Sequence, residues 1–144
     1  RHALARRYGA SRAVCPDDLD VAALEGTFDI VLEAAGVQVA LDLATALVTQ
    51  HGRIVLIGYH TSNGGLRQIN MQQWNFKAID VVNAHVRRDG EKAQAMAEGL
   101  VLLSQGTLEL APLATPYPFP AVEAAFADLQ AHKPGLVKAV LVPG

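Results

Sequence analysis

The chain has 144 residues, 51% of them hydrophobic and 18% charged, with a formal charge of −2. That composition excludes disorder, which needs low hydrophobicity and high net charge, and it suits a domain able to bury roughly 68–70% of its unfolded surface. With 12 basic against 14 acidic side chains there is no surplus to clamp phosphate backbones, so nucleic acid is not an expected partner. No apolar run approaches the ~20 residues of a membrane span, so no membrane partner is expected either.

The first stretch, Arg1–Tyr8, reads as a helix stopped by Gly9, because glycine takes up positive φ at little cost. A short strand over Arg12–Cys15 is expected to close at Pro16, with Asp17 and Asp18 capping a brief helix through Leu24. Phe28–Ala35 predicts a strand with a buried centre, ended by Gly36. In Val37–Gln50, Val39, Leu43 and Leu47, with Ala40 and Ala44, fall in i, i+4 rows and predict a helix that Gly52 ends. Arg53–Gly58 (R-I-V-L-I-G) is apolar on both faces, the mark of a central parallel strand. A polar loop, Tyr59–Leu66, follows directly, and Ala78–His85 predicts a further β-branched strand. Glu91–Gln105 reads as a helix with Ala93, Met96, Ala97, Leu100 and Leu103 on one stripe. A proline-rich link, Pro112–Pro120, precedes an amphipathic helix with Val122, Ala125, Phe126 and Leu129, and Val137–Val142 predicts a closing strand.

Alternating strands and helices with apolar strands imply parallel βαβ units, hence an α/β fold with a doubly wound sheet. The proline-rich link is the expected boundary, giving residues 1–111 and a helix-strand tail over 112–144. Ligands of such sheets sit at the carboxyl ends of the strands, which draws attention to Gly36, Gly58–Tyr59 and Asn83–His85. The chain opens at Arg1 in mid-helix style without an apolar signal segment, and is expected to be a piece of something longer. A lone cysteine, Cys15, can form neither an internal disulfide nor a thiolate zinc cage; it suits a reducing, cytoplasmic compartment and reads as a small hydrophobe.

Several segments stand in a familiar order: R-x-x-L-A-x-x-Y-G-A (Arg1–Ala10), F-D-I-V-L-E-A-A-G (Phe28–Gly36), H-G-R-I-V-L-I-G (His51–Gly58), W-N-F-K-A-I-D-V-V (Trp74–Val82), Y-P-F-P-A-V-E-A-A-F (Tyr117–Phe126) and G-L-V-K-A-V-L (Gly135–Leu141). Together they resemble the C-terminal portion of medium-chain dehydrogenases/reductases, the zinc-containing alcohol dehydrogenase superfamily. The resemblance implies a partial Rossmann-type sheet that binds NAD or NADP over residues 1–111, and a tail over 112–144 returning to the catalytic domain. The chain holds no G-x-G, so the phosphate-cradling turn lies outside it. By the same resemblance the zinc ligands lie outside the chain, leaving no catalytic or metal-binding residue within it.

The resemblance also assigns cofactor contacts. Ala34, Ala35 and Gly36 line the adenosine and ribose side, although the same residues serve a close strand-helix turn. Ile57, Gly58 and Tyr59 match the segment that reaches the nicotinamide. Ile79, Val81 and Asn83 belong to the edge strand facing the carboxamide, with relatives often carrying glycine where Asn83 stands. Lys138 falls near the pyrophosphate, or is an exposed lysine on the last strand. His51, His60 and His85 lie on different elements without a ligand motif and read as structural or surface residues. Trp74 and Phe76 read as packing groups, and Asp80 as an outward edge charge.

The function so implied is that of an NAD(P)-dependent alcohol or polyol dehydrogenase, zinc-assisted in the parent protein and nearest the sugar-alcohol and threonine dehydrogenase-like group. Its expected partners are a small alcohol or polyol and a second subunit, joined through the edge strand Ile79–His85. The rival readings are a non-catalytic Rossmann-like binding or dimerisation module and a zinc-independent quinone or enoyl reductase.

Overall fold

A computed structural model describes residues 1–143, which pack into two compact units: Cys15–Arg87, and Arg1–Val14 together with residues 88–143.

The first unit is built on three parallel strands, β1 (Phe28–Glu33), β2 (Val48–Leu56) and β3 (Asp80–Asn83), in the order β1-β2-β3. Parallel neighbours need crossovers, supplied here by helix α3 (Gln38–Leu47) between β1 and β2 and helix α4 (Met71–Lys77) between β2 and β3. A short helix, α2 (Val21–Leu24), precedes β1 and is capped by the Asp20 side chain, not by Asp17 or Asp18, which lie in a 3-10 turn. Arg12–Cys15 is irregular and pairs with no strand. The core forms where α3 meets the sheet: Ala44, Val48 and Ile54 are buried together, with Val31, Leu56 and Ile79 packed against them.

Helix α3 buries Leu41, Ala44 and Thr45, a face rotated from the expected rows, and Val39 points outward. It also ends earlier than its pattern implies. Val48 and Thr49 pass straight into β2, as β-branched residues favour. A register shift against β1 follows between Phe28 and Ile30, and His51 takes a positive φ of 58° there. The terminal carbonyls of α3 are met from outside: Lys77 Nζ donates to Thr45 O, Ala46 O and Val48 O at 2.8–2.9 Å. Trp74 reinforces the same corner, its Nε1 donating to Thr45 Oγ1 at 3.0 Å. Helix α4 starts on an Asn70 side-chain cap and stops at Ala78, whose left-handed φ of 50° delays β3 to Asp80. Phe76 on this helix is 79% exposed and packs no core.

Helices α3 and α4 cover one face of the sheet. The other face carries Phe28, Ile30 and Leu32 of β1 in the open, Ile30 and Leu32 being 60% and 61% exposed, so the expected buried centre of this strand is buried on one side only. Arg53 and Asp80 pair across β2 and β3 at 2.7 Å.

The second unit contains helix α1 (His2–Arg7), the long helix α5 (Asp89–Ser104), strand β4 (Ala114–Pro118), helix α6 (Val122–Gln130) and strand β5 (Lys138–Val142). The α5 stripe is largely exposed at Met96 and Leu100. Strand β4 arises inside the proline-rich link and pairs in parallel with β5. Pro116 and Pro118 occupy alternate positions, so the side of the strand carrying the Thr115 and Tyr117 N–H groups keeps its donors for β5. Tyr117 is tied to α6 by its hydroxyl, which donates to Asp128 Oδ2 at 2.8 Å, and Lys133 Nζ donates to the same oxygen at 2.6 Å.

Candidate functional site

The carboxyl ends of β1 and β2 lie side by side and are joined through one buried acid. Glu33, the last residue of β1, is 3% exposed, and its side chain sits beneath the turn that follows. Its Oε1 accepts from Ala35 N at 3.0 Å and Gly36 N at 2.7 Å, and its Oε2 meets His60 Nε2 at 3.0 Å. Its backbone carbonyl accepts from both Ile57 N and Gly58 N at 2.8 Å. A carboxylate out of water needs that many donors, because each unmet lone pair carries a desolvation cost.

The loop after β2 closes over this acid. His60 Nδ1 accepts from Arg67 Nε at 2.8 Å. Arg67 spends its remaining donors on Ser62 O, Leu66 O, Ser62 Oγ and, at 2.8 Å, Gly36 O. An arginine can only donate, so Nδ1 must hold a lone pair and the imidazole proton resides on Nε2, directed at Glu33. The turn after β1 and the turn after β2 are therefore bound to each other by side chains as well as by packing.

Beside them a cleft of about 440 Å³ opens at the ends of β2 and β3, lined by Leu56, Gly58, Tyr59, His60, Asn83, His85 and Arg87. His85 Nε2 lies 3.2 Å from Gly58 O, and its ring meets Tyr59 edge-on at 5.6 Å between centroids. The Arg87 guanidinium lies over the Tyr59 ring at 5.6 Å, a cation–π arrangement. Asn83 turns inward on its own loop, its Oδ1 accepting from His85 N at 3.0 Å.

The residues singled out in the sequence thus fall in several places. Gly58, Tyr59 and Asn83 line the cleft. Ala34, Ala35 and Gly36 form the adjoining turn, and Ile57 leads into it with an exposed side chain. Ile79 packs against the core, and Val81 is half-buried opposite Ile54. Lys138 opens β5 in the other compact unit, exposed. Glu33, Arg67 and Arg87 were not picked out by sequence reasoning, and His60 and His85 were read only as structural or surface groups. A usable signal existed for Glu33, an acid directly after the apolar run Ile30–Leu32 at the end of a strand.

Among the described residues, no group of three or more His, Cys, Asp or Glu side chains is placed to hold a metal ion. His60 has both ring nitrogens engaged and His85 has one engaged, so the described residues of this rim present no ligand set fitting zinc. No helix is long and apolar enough to cross a membrane among the described residues.

Comparison with known proteins bears on the whole of this arrangement. No curated protein matches the chain. Among solved structures, benzyl alcohol dehydrogenase from Acinetobacter calcoaceticus superposes with a TM-score of 0.83 at 20% identity, over 99% of this chain and 40% of its own. Acetophenone reductase from Geotrichum candidum, solved in complex with NAD, superposes with 0.73 at 18% identity, over 97% and 38%. A Sinorhizobium meliloti protein bound to NADP gives 0.75 at 22% identity, over 99% and 42%. At these identities the likeness establishes the fold, a partial Rossmann-type α/β arrangement, and the chain spans about two fifths of the length of these proteins. The sequence itself matches the family model of zinc-binding dehydrogenases over residues 8–134, nearly its full length, and on that ground the chain belongs to the zinc-binding dehydrogenase family.

Proposed function

We propose that this chain forms the nicotinamide side of the dinucleotide site in an NAD(P)-dependent oxidoreductase acting on alcohols or polyols. The observation that carries the reading is the cleft at the carboxyl ends of β2 and β3, where Gly58, Tyr59 and Asn83 meet at the rim on which parallel sheets bind their ligands. The solved relatives with NAD and NADP bound, and the benzyl alcohol dehydrogenase among them, support the cofactor and substrate class.

In this reading the backbone and side chains of Ile57, Gly58 and Tyr59 receive the nicotinamide, with Ile79, Val81 and Asn83 of the edge strand on its carboxamide side. Ala34, Ala35 and Gly36 form the ribose side of the rim. When bound, the dinucleotide supplies or accepts the hydride, while the protein contributes binding and orientation. The zinc of the family, together with the glycine-rich phosphate turn, belongs to parts of the protein outside this chain. In the same reading residues 1–111 act as the cofactor-binding portion and 112–144 as a tail returning to a catalytic domain. A cytoplasmic protein that dimerises through the edge strand Ile79–His85 completes the proposal.

The test is alcohol-dependent reduction of NAD or NADP, followed by absorbance, with the complete protein and with residues 1–144 alone. Turnover by the complete protein and none by the 144-residue chain is the expected result, since the sequence has no G-x-G turn and its described residues hold no metal ligand set. A complete protein that oxidises no alcohol with either dinucleotide overturns the reading.

A further inference from the structure

We infer that Glu33, His60 and Arg67 are positioning residues: a polarity-ordered chain of hydrogen bonds that sets dinucleotide affinity by holding two turns of the rim in place. The inference rests on the proposed cofactor site and adds to it residues that need not touch the cofactor.

Gly36 is the point gripped. Its N–H is held by Glu33 Oε1 at 2.7 Å and its carbonyl by the Arg67 guanidinium at 2.8 Å. The grip is closed through His60, which links Oε2 of the same acid to Nε of the same arginine. Ala34–Gly36 and Gly58–His60 are thereby fixed to one another at the strand ends.

The order of donors is dictated at every link. Arg67 must donate, so His60 Nδ1 must accept and Nε2–H must donate to Glu33. Ala35 N–H, Gly36 N–H and His60 Nε2–H then converge on one carboxylate, and no position on that group tolerates a donor. Packing alone has no such rule. A group of the same size with the wrong polarity is the discriminating probe, because an amide at residue 33 must point its NH₂ either at the turn or at the imidazole N–H.

The experiment uses the complete protein, measuring dinucleotide binding by calorimetry and the His60 ring tautomer by ¹⁵N NMR. Wild type is expected to show Nε2–H with an unprotonated Nδ1. Glu33→Gln, and Arg67→Met on the half-exposed loop, should each weaken dinucleotide binding about tenfold or more, the scale of one lost charge-assisted hydrogen bond. In Glu33→Gln/Arg67→Met the imidazole is free to move its proton to Nδ1 and accept from the new amide. The double variant should therefore bind no worse than Arg67→Met alone, with the NMR tautomer reversed. If wild type binds the dinucleotide and both single variants bind it equally well, or the two losses simply add, the positioning role is overturned. If wild type binds no dinucleotide, it is the cofactor reading itself that fails, and this inference falls with it. Should Glu33→Gln not fold, Arg67→Met and Arg67→Lys decide alone: unchanged affinity in both overturns the role, and a loss in Arg67→Met supports it.

Discussion

Gly36 and Gly58 fit together only because neither carries a side chain. A Cβ on Gly58 would collide with Gly36 N and stand 2.7 Å from both Gly36 Cα and Glu33 Oε2. A Cβ on Gly36, where φ is +71°, would stand 2.7 Å from Tyr59 O. Glycine at position 58 is thus required by the neighbouring turn itself. Gly58→Val should therefore destabilise the fold itself, by about 1–3 kcal/mol from overpacking against backbone. Calorimetric melting of the variant checks this; an unchanged midpoint would show that the two turns separate freely.

The exposed edge of β3 has a defined polarity. Ala84 N donates to Leu56 O at 3.0 Å, and alternate residues of a strand point their N–H groups the same way, so Val82 also faces β2 while Val81 and Asn83 direct theirs outward. Val81→Pro therefore removes an outward donor and leaves the β2 pairing intact. In the proposed dimer this variant should dissociate at concentrations where wild type stays paired, as read by light scattering. A wild-type protein that is monomeric at micromolar concentration removes this interface.

Lys77 is the external cap of α3. Its ammonium meets three carbonyls, at Thr45, Ala46 and Val48, where the chain turns from helix directly into strand, and Ala46 O accepts from Gly26 N as well. Lys77→Met keeps most of the stem and removes the donors, and should cost about 1.5–3 kcal/mol in chemical denaturation. A loss below a few tenths would mean that water replaces the ammonium there.

The tie between β4 and α6 depends on pH at both ends. The Lys133 ammonium, and then the Tyr117 hydroxyl, hold the Asp128 carboxyl below its ordinary value of 3.8. The bond to Asp128 in turn raises Tyr117 above 10.0 and Lys133 above 10.5. A lowered acid stabilises above its ordinary pKa and loses that contribution as pH falls through the lowered one. The raised phenol and ammonium stabilise below their ordinary values and lose it as pH rises through the raised ones. Stability should therefore fall off below the carboxylate range and again above the phenol range. Asp128→Asn should flatten both limbs in denaturation midpoints measured across pH.

How much of this was legible in the sequence varies with the kind of signal. Phe28–Glu33 and Arg53–Leu56 announce themselves because strands of parallel sheets are short apolar runs. Helix α4 went unread because its seven residues carry only Met71, Trp74 and Phe76 as apolar marks, and its start depends on one side-chain cap, Asn70 to Gln73 N at 3.1 Å. Strand β4 was hidden by prolines that ordinarily argue against a strand. The chain through Glu33, His60 and Arg67 could not be read at all: its links span 27 positions and then 7, and no local pattern records which distant donors will reach a buried acid. The rim positions were visible because glycines and strand ends are local, whereas what holds the rim together is tertiary.

The alternating prolines of β4 have a consequence for assembly. With Thr115 and Tyr117 turned toward β5, the outer side of β4 offers carbonyl oxygens at Pro116 and Pro118 without an N–H at either position. A strand approaching from that side finds only acceptors at these two positions, whereas β3 presents the outward N–H groups of Val81 and Asn83. The two edges thus differ in their donors, and growth of the β4–β5 sheet beyond β4 is disfavoured by the loss of two of them.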